Sequence, residues 1–297
     1  MASFRKAAFF LIALAIHVSV YAQTPSGELT LPDIPDSLRT PAARAGFLVE
    51  HFWDNFDFSN DKRTTDPVFI EQSFVNMLSV LPVAGPDSQK KGIESMLAAT
   101  GEQTGQIMKL AEKYLFQTDS PFANDEIYML FVDAARENQC LSAETVARLD
   151  AQNEILQMNR KGSKASDFEY ESPDGKLQTL YSNGHPFLLL IFYDPDCSHC
   201  TKTIETFAAE PYVNLLVREG TLKVLAINSD GDKDRWKQSL SLIPKNWETG
   251  YENGTIQDED LYYFRKNPTI YLLAPDNTVL LKDSDVGEVI TFLLTLK

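Results

Sequence analysis

The fold of the C-terminal half of the chain is decided by the stretch FLLLIFYDPDCSHC, residues 187–200. It opens with the continuous apolar run FLLLIFY, which is typical of a central strand buried on both faces. After the turn residues DPD, a helix is predicted from Ser198 to about Glu219. The two cysteines of the stretch, Cys197 and Cys200, therefore lie at the start of a helix that follows a buried strand.

The spacing of these two cysteines suits thiol–disulfide chemistry. Cysteines at i and i+3 at a helix start can face each other closely enough to form a small-ring disulfide. The free N–H groups and the positive dipole end of the helix stabilise a thiolate on the first, more exposed cysteine. A structural zinc site is the alternative, but the remaining ligand candidates are Cys140, His51 and His185, which form no second pair.

Beyond this motif the apolar pattern predicts alternating helices and strands. A second buried strand, LKVLAIN, covers residues 222–228, and a helix follows over residues 232–242. Two strands within residues 269–282 flank a Pro-Asp-Asn turn and form a hairpin before a last helix over residues 286–297. A small hairpin over residues 168–181 precedes the first core strand, so the order is a hairpin followed by β–α–β–α–β–β–α.

The C-x-x-C motif after a buried strand, this order of elements, and Asn267-Pro268-Thr269 opening the next-to-last strand together resemble the thioredoxin fold. The extra hairpin and an export signal described below are similar to the TlpA-like branch of envelope thiol–disulfide oxidoreductases. The resemblance covers about residues 163–297. The preceding helical half is similar to an uncharacterised domain found before such thioredoxin-like domains.

The resemblance implies a role for each matching residue. Cys197 would be the nucleophile in disulfide exchange, and Cys200 would be the buried resolving thiol. Pro268 would be the cis-proline facing the disulfide, although most X-Pro bonds are trans. Asn267 and Thr269, on either side of it, belong to the expected substrate-binding segment, with the Asn267 backbone offering hydrogen bonds to an extended substrate.

Several positions near the motif depart from the family pattern. Ile191 stands where thioredoxin has an acidic residue, and Thr203 stands where many TlpA-like proteins have a glutamate, so the resolving step lacks its usual base. Asp194 and Asp196 should disfavour the thiolate by charge repulsion. His199, directly before the second cysteine, resembles oxidising members of the superfamily, in which an imidazole stabilises the thiolate.

The N-terminal half is predicted to contain a targeting segment, a linker and a helical domain. Residues 1–22 have a basic start, a short apolar run and a Val-Tyr-Ala end, the pattern of a cleaved secretory signal peptide. Residues 23–35 are a polar, Pro-rich linker, and residues 36–158 show helical periodicity. Cys140 is expected to be a buried thiol outside any disulfide.

Within the helical domain, Thr40-Pro41 and Asp66-Pro67 predict helix starts, and Ser142 predicts the cap of its last helix. The predicted fold class is thus an all-α N-terminal domain followed by a thioredoxin-like α/β domain over residues 163–297, with a mixed sheet flanked by helices. We expect the protein to be exported to the periplasm or cell envelope of a bacterium, without stable membrane insertion after signal cleavage.

Composition excludes several classes of function. The 297 residues carry 42 acidic against 27 basic side chains, a formal charge of −15, which argues against nucleic-acid binding. Three cysteines cannot staple a chain of this length into a disulfide scaffold. The apolar fraction of 43% is ordinary for a globular protein.

The sequence predicts an enzyme, a thiol–disulfide oxidoreductase that needs no metal or other cofactor. Its partners would be protein thiols and disulfides and an unidentified redox partner. One alternative is a copper-handling protein with Cys197, Cys200 and either His185 or His199 as ligands, against which the C-x-x-C spacing counts. Another is a non-redox protein-binding module. A peroxidase is disfavoured because Asp194 stands where peroxiredoxins have Thr or Ser.

Overall fold

The computed structural model describes residues 27–136, 140–182 and 184–296. The predicted signal peptide, residues 1–22, lies outside the described residues. The predicted fold class is confirmed, since an N-terminal all-α half is followed by a mixed sheet with helices on its faces. No helix among the described residues is both long enough and apolar enough to cross a membrane.

Six α-helices form the described part of the N-terminal half. The predicted starts are confirmed, because the side chains of Thr40 and Asp66 accept hydrogen bonds from first-turn N–H groups and a proline follows each. Ser142 caps the last helix in the same way. The helices are α1 (Pro41–Glu50), α2 (Pro67–Val80), α3 (Pro86–Thr100), α4 (Thr104–Ala111), α5 (Asp125–Arg136) and α6 (Ala143–Gln157).

These helices enclose a hydrophobic core of their own, in which Phe74, Met77 and Phe131 are fully buried. The close approach of α1 to α3 depends on Gly92. A Cβ atom there would lie 2.5 Å from Val49 Cγ1 and 2.6 Å from the Val49 carbonyl oxygen. Only a residue without a side chain lets the two backbones approach this closely.

The C-terminal half is built on one seven-stranded sheet of the described residues, in the order β2-β1-β5-β4-β3-β6-β7. The apolar run FLLLIFY is its central strand, as predicted, parallel to β4 and antiparallel to β6. The strands are β1 (Glu169–Glu171), β2 (Leu177–Thr179), β3 (Phe187–Tyr193), β4 (Leu222–Asn228), β5 (Glu248–Tyr251), β6 (Thr269–Leu273) and β7 (Val279–Lys282).

Apolar layers cover both faces of this sheet. Along β3, Leu189, Ile191 and Tyr193 point into one layer, while Leu188 and Leu190 point into the other. This alternation follows from the two-residue period of a strand. The helices of this half are α7 (Ser198–Ala209), α8 (Pro211–Arg218), α9 (Lys233–Ser239), α10 (Thr255–Asp258) and α11 (Val286–Leu293).

The structure corrects three details of the sequence analysis. The single helix predicted from Ser198 to about Glu219 is two helices, because Pro211 keeps Glu210 in an extended conformation between α7 and α8. Strand β5 was not predicted, since it is short and polar and contains Gly250. Cys140 forms no disulfide but is exposed, because it precedes the cap of α6 rather than lying on a core-facing stripe.

Candidate functional site

The two cysteines of the C-x-x-C motif differ sharply in exposure. Cys197 is the N-cap of α7 and is half-buried, whereas Cys200 lies one turn into the helix with no exposed surface. The Cys200 backbone N–H donates a hydrogen bond to Cys197 Sγ at 3.2 Å. The helix start therefore directs an N–H group at the outer sulfur, an arrangement that stabilises negative charge there.

Burial makes the inner thiol a poor acid. Removal from water raises the pKa of Cys200 from the ordinary 9.0 of a thiol to about 12, and the hydrogen bond and charge of Cys197 add to this rise. A backbone hydrogen bond from Asp194 opposes the rise in part. The site thus holds one sulfur that is accessible from solvent and a second that stays protonated behind it.

The structure brings Asn267 and Pro268 to the outer sulfur. The peptide bond between them is cis, and the Asn267 carbonyl oxygen lies 3.9 Å from Cys197 Sγ. Thr269 is buried at the start of β6, where its hydroxyl donates to the Lys266 carbonyl at 2.6 Å. Asn267 thus reaches the cysteines and is exposed, while the Thr269 side chain is used within its own turn.

One charged residue of the site was missed by the sequence analysis. Arg235, on α9, forms an ion pair with Asp196 at 3.0 Å and lies 3.6 Å from both Asp230 and Asp232. This guanidinium offsets part of the negative charge next to Cys197, although the exposed position of Asp196 weakens the pair. Nothing in the sequence marks Arg235 as close to the motif, since the two meet only through packing of α9.

The histidines considered as ligands are placed far apart. His199 is exposed on the first turn of α7, next to the cysteines. His185 lies before β3, at the opposite end of the strand from Cys197, with its ring nitrogens 2.7 Å from the Pro186 carbonyl and 2.8 Å from Asn277 Oδ1. The length of β3 separates His185 from Cys197 by roughly 20 Å, at about 3.3 Å a residue. The hypothesis that His185 binds a metal ion together with the two cysteines is therefore wrong.

Two further observations bear on a metal site. His51 lies in the helical half, where its Nδ1 is 2.7 Å from Asp54 Oδ2. In the part of the chain that the structure describes, no three His, Cys, Asp or Glu side chains are grouped so that they could hold a metal ion.

An open cleft of about 570 Å³ lies at the carboxyl ends of β3 and β4 and is lined by Asn267, whose carbonyl is 3.9 Å from Cys197 Sγ. Asp194, from the motif stretch, also lines it, as does Tyr263, which is about half exposed. Ligands of α/β sheets commonly bind at this end of parallel strands. Its size and its exposed aromatic ring suit a segment of polypeptide better than a small, enclosed ligand.

Polar groups also lie buried at this edge of the sheet. Asn228, the last residue of β4, is fully buried, and its side-chain amide makes no hydrogen bond among the described residues. Glu252 follows β5 and accepts from the Ile256 N–H at 2.9 Å, while its second oxygen is buried without a hydrogen bond from the described residues. A polar residue ending an apolar strand was a signal that could have identified Asn228.

A solved structure resembles the molecule over nearly its whole length. A thioredoxin-like protein from Bacteroides caccae is 34% identical, covers 91% of this chain and 99% of its own, and superposes with a TM-score of 0.85. The chain belongs to the thioredoxin-like proteins. Its predicted resemblance to that family is therefore confirmed.

Other comparisons match only part of this thioredoxin-like chain. A family model described as a domain of unknown function, DUF5106, matches residues 15–159. The C-terminal domain of an uncharacterised protein from Bacteroides fragilis is 37% identical, covers 46% of this chain and 99% of its own, with a TM-score of 0.45.

A thioredoxin domain of a thiol-disulfide oxidoreductase from Bacteroides vulgatus is 17% identical to this chain. It covers 46% of this chain and 96% of its own, with a TM-score of 0.41. No curated protein matches the sequence.

Proposed function

We propose that the protein is a thiol–disulfide oxidoreductase that exchanges disulfides with protein substrates through Cys197 and Cys200. The observation that carries the proposal is the pairing of an accessible sulfur at a helix start with a buried thiol one turn later. The Asn267 carbonyl supports the proposal further, because it offers a backbone acceptor to an extended substrate 3.9 Å from the outer sulfur. The helix N-terminus favours the thiolate on the outer residue, which is the form that exchange requires.

In the reducing direction, the Cys197 thiolate attacks one sulfur of a substrate disulfide. The substrate S–S bond breaks, a mixed disulfide forms, and the departing substrate sulfur carries the electron pair. Because burial keeps Cys200 protonated, that departing thiolate is a suitable acceptor for its proton. Cys200 then attacks Cys197 Sγ, which releases the second substrate sulfur as a thiolate and leaves both cysteines in one disulfide, two electrons having passed to the substrate.

The reverse sequence oxidises a substrate dithiol and leaves both cysteines reduced. In either direction His199, exposed beside the motif, would favour the thiolate form, and the Asn267–Pro268–Thr269 segment would hold the substrate. Arg235 would offset the opposing charge of Asp196.

The test is trapping with insulin, whose interchain disulfides serve as a model substrate. With a thiol reductant present, the wild type should reduce insulin. After the reductant is removed, pre-reduced Cys200→Ser should form a stable mixed disulfide between Cys197 and an insulin chain, because attack still occurs and the release step is lost. Cys197→Ser should neither trap nor turn over. Cys140→Ser is the matched control and should behave as the wild type, since that exposed cysteine lies in the helical half.

Mass spectrometry of the adduct identifies the cysteine that carries the insulin chain. A stable adduct of the Cys197→Ser variant, formed through Cys200, would reverse the assigned roles. Unchanged insulin reduction in both motif variants would remove the oxidoreductase proposal and favour a binding module.

We also propose that the protein acts outside the cytoplasm, in the bacterial periplasm or cell envelope, where substrate disulfides persist. The support is the signal-peptide pattern of residues 1–22. After removal of this peptide we expect no stable membrane insertion. The protein isolated from its native host should then begin near Gln23. An N-terminal sequence starting at Met1 or Ala2 would contradict export by this route.

A further inference from the structure

The segment that brings Asn267 to the active cysteines is anchored in the helical half through Arg265. The Arg265 side chain is only 8% exposed. Its Nη2 lies 2.9 Å from both carboxylate oxygens of Asp125, the first residue of α5. Its Nε and Nη2 also donate to Asp283 Oδ2, at 3.0 Å and 2.6 Å. One guanidinium thus joins a carboxylate of each half of the chain.

A third residue of the protein also binds the Arg265 side chain. Arg265 Nη1 donates to the Phe116 carbonyl at 3.1 Å, and the guanidinium carbon lies 5.1 Å from the centre of the Phe116 ring. Phe116 ends a π-helical turn, Glu112–Phe116, that continues α4. The planar fork of an arginine presents five N–H donors in fixed directions, which suits two carboxylates and a carbonyl together.

Arg265 is close in sequence and in space to the reacting atoms. Only one residue separates Arg265 from Asn267, whose carbonyl lies 3.9 Å from Cys197 Sγ. Arg265, Lys266 and Asn267 line the same cleft as Asp194. The Thr269 hydroxyl donates a hydrogen bond to the Lys266 carbonyl at 2.6 Å. This bond stabilises the short turn that follows Arg265. A shift of Arg265 would therefore move the Asn267 carbonyl.

We propose that Arg265 is a positioning residue for the substrate-binding segment, and that Asp125, acting through Arg265, gives the helical half a part in substrate recognition. The inference rests on the proposed oxidoreductase function. Loss of the Asp125 carboxylate charge should loosen the segment that receives the substrate backbone without changing the cysteines. Binding of a polypeptide substrate should then weaken, while attack of Cys197 on a small reagent should not.

The two halves are also joined by contacts that do not reach this segment. Lys282 Nζ donates to the carbonyls of Leu156 and Met158, at 3.1 Å and 2.8 Å, at the end of α6. Arg160 forms an ion pair with Glu126, the neighbour of Asp125 on the first turn of α5. Docking of the halves therefore has supports other than Asp125.

Glu126 provides a matched control. Asp125→Asn and Glu126→Gln both neutralise an acid of one helical turn and weaken one ion pair. Asp125 pairs with Arg265 of the C-terminal half, and Glu126 pairs with Arg160 of the connection between the halves. Only the first pair leads to the Asn267–Pro268 segment. For insulin reduction by the full-length protein, Asp125→Asn should raise KM about tenfold, within the range typical of coupling between sites. Glu126→Gln should leave KM within about twofold of the wild type, and both should alkylate Cys197 with iodoacetamide at the wild-type rate.

Amide hydrogen exchange gives a readout that needs no turnover. Asp125→Asn should speed exchange in peptides covering residues 265–270, and Glu126→Gln should not. If Asp125→Asn fails to fold, Arg265→Lys, which keeps the charge and loses the fork, should show the same KM and exchange effects. Equal KM and exchange in the Asp125 and Glu126 variants would overturn this inference alone. An inactive wild type would overturn the proposed function, and this inference with it.

Discussion

The buried position of Cys200 predicts a specific reactivity for each sulfur when it is studied alone. Two proteins make the comparison, both carrying Cys140→Ser. One also carries Cys197→Ser, so Cys200 is its only cysteine, and the other carries Cys200→Ser. Replacing Cys197 removes its charge and changes its hydrogen bond to Cys200, but burial, the largest cause of the raised pKa, remains.

The size of the effect follows from the ionised fraction. A rise of the Cys200 pKa from 9.0 to about 12 leaves this thiol protonated through the whole range of ordinary buffers. At pH 8 this rise in the pKa lowers the thiolate fraction about a thousandfold. Some of that shift is lost with Cys197, so we expect Cys200 to react at least about a hundredfold more slowly than an unfolded thiol. Its complete burial slows the reagent further.

The assay is alkylation by iodoacetamide, followed by mass spectrometry from pH 6 to pH 10. The rate of Cys200 alkylation should rise about tenfold per pH unit without levelling off, because the pH stays below the pKa of this thiol throughout. In guanidinium chloride both proteins should react alike, which controls for the reagent. A Cys200 rate that levels off below pH 9, or that exceeds the Cys197 rate, would refute the argument that burial protects the inner sulfur.

Two further predictions concern the fold. Gly92→Ala should lower the free energy of unfolding by about 1–3 kcal/mol, because the new methyl group meets Val49. Gly105→Ala, with nothing within 4 Å, should instead raise it by up to about 1 kcal/mol, as chemical denaturation would show. We also propose that residues 36–158 and 163–297 fold separately. Cooperative thermal unfolding of each isolated fragment would support this, and a fragment without such a transition would contradict it.

The features predicted well from the sequence depend on near neighbours. The starts at Thr40-Pro41 and Asp66-Pro67 need only a cap, a proline and an apolar stripe, all within one helical turn or two. The central strand FLLLIFY is a continuous apolar run, the pattern typical of a strand buried on both faces. The same local logic placed Cys197 at the beginning of α7.

The features that were missed depend on distant parts of the chain. Strand β5 reads ETGY and pairs with β4 on one side and β1 on the other. Its Gly250 is needed because a Cβ atom there would lie 2.3 Å from the Tyr170 ring. Backbone pairing and a ring above the strand, rather than apolar periodicity, hold this segment in the sheet.

The sequence by itself determined the helical and α/β halves, the central strand, and the placement of both cysteines at a helix start, because caps, turns and apolar periods act over a few residues. Tertiary structure alone decided that Arg235 meets Asp196 and that Arg265 joins Asp125 to Asp283. A charged side chain has the same local signature whether it faces solvent or a partner. Its partner is chosen by how separate elements pack, and burial then decides how strongly the two charges interact.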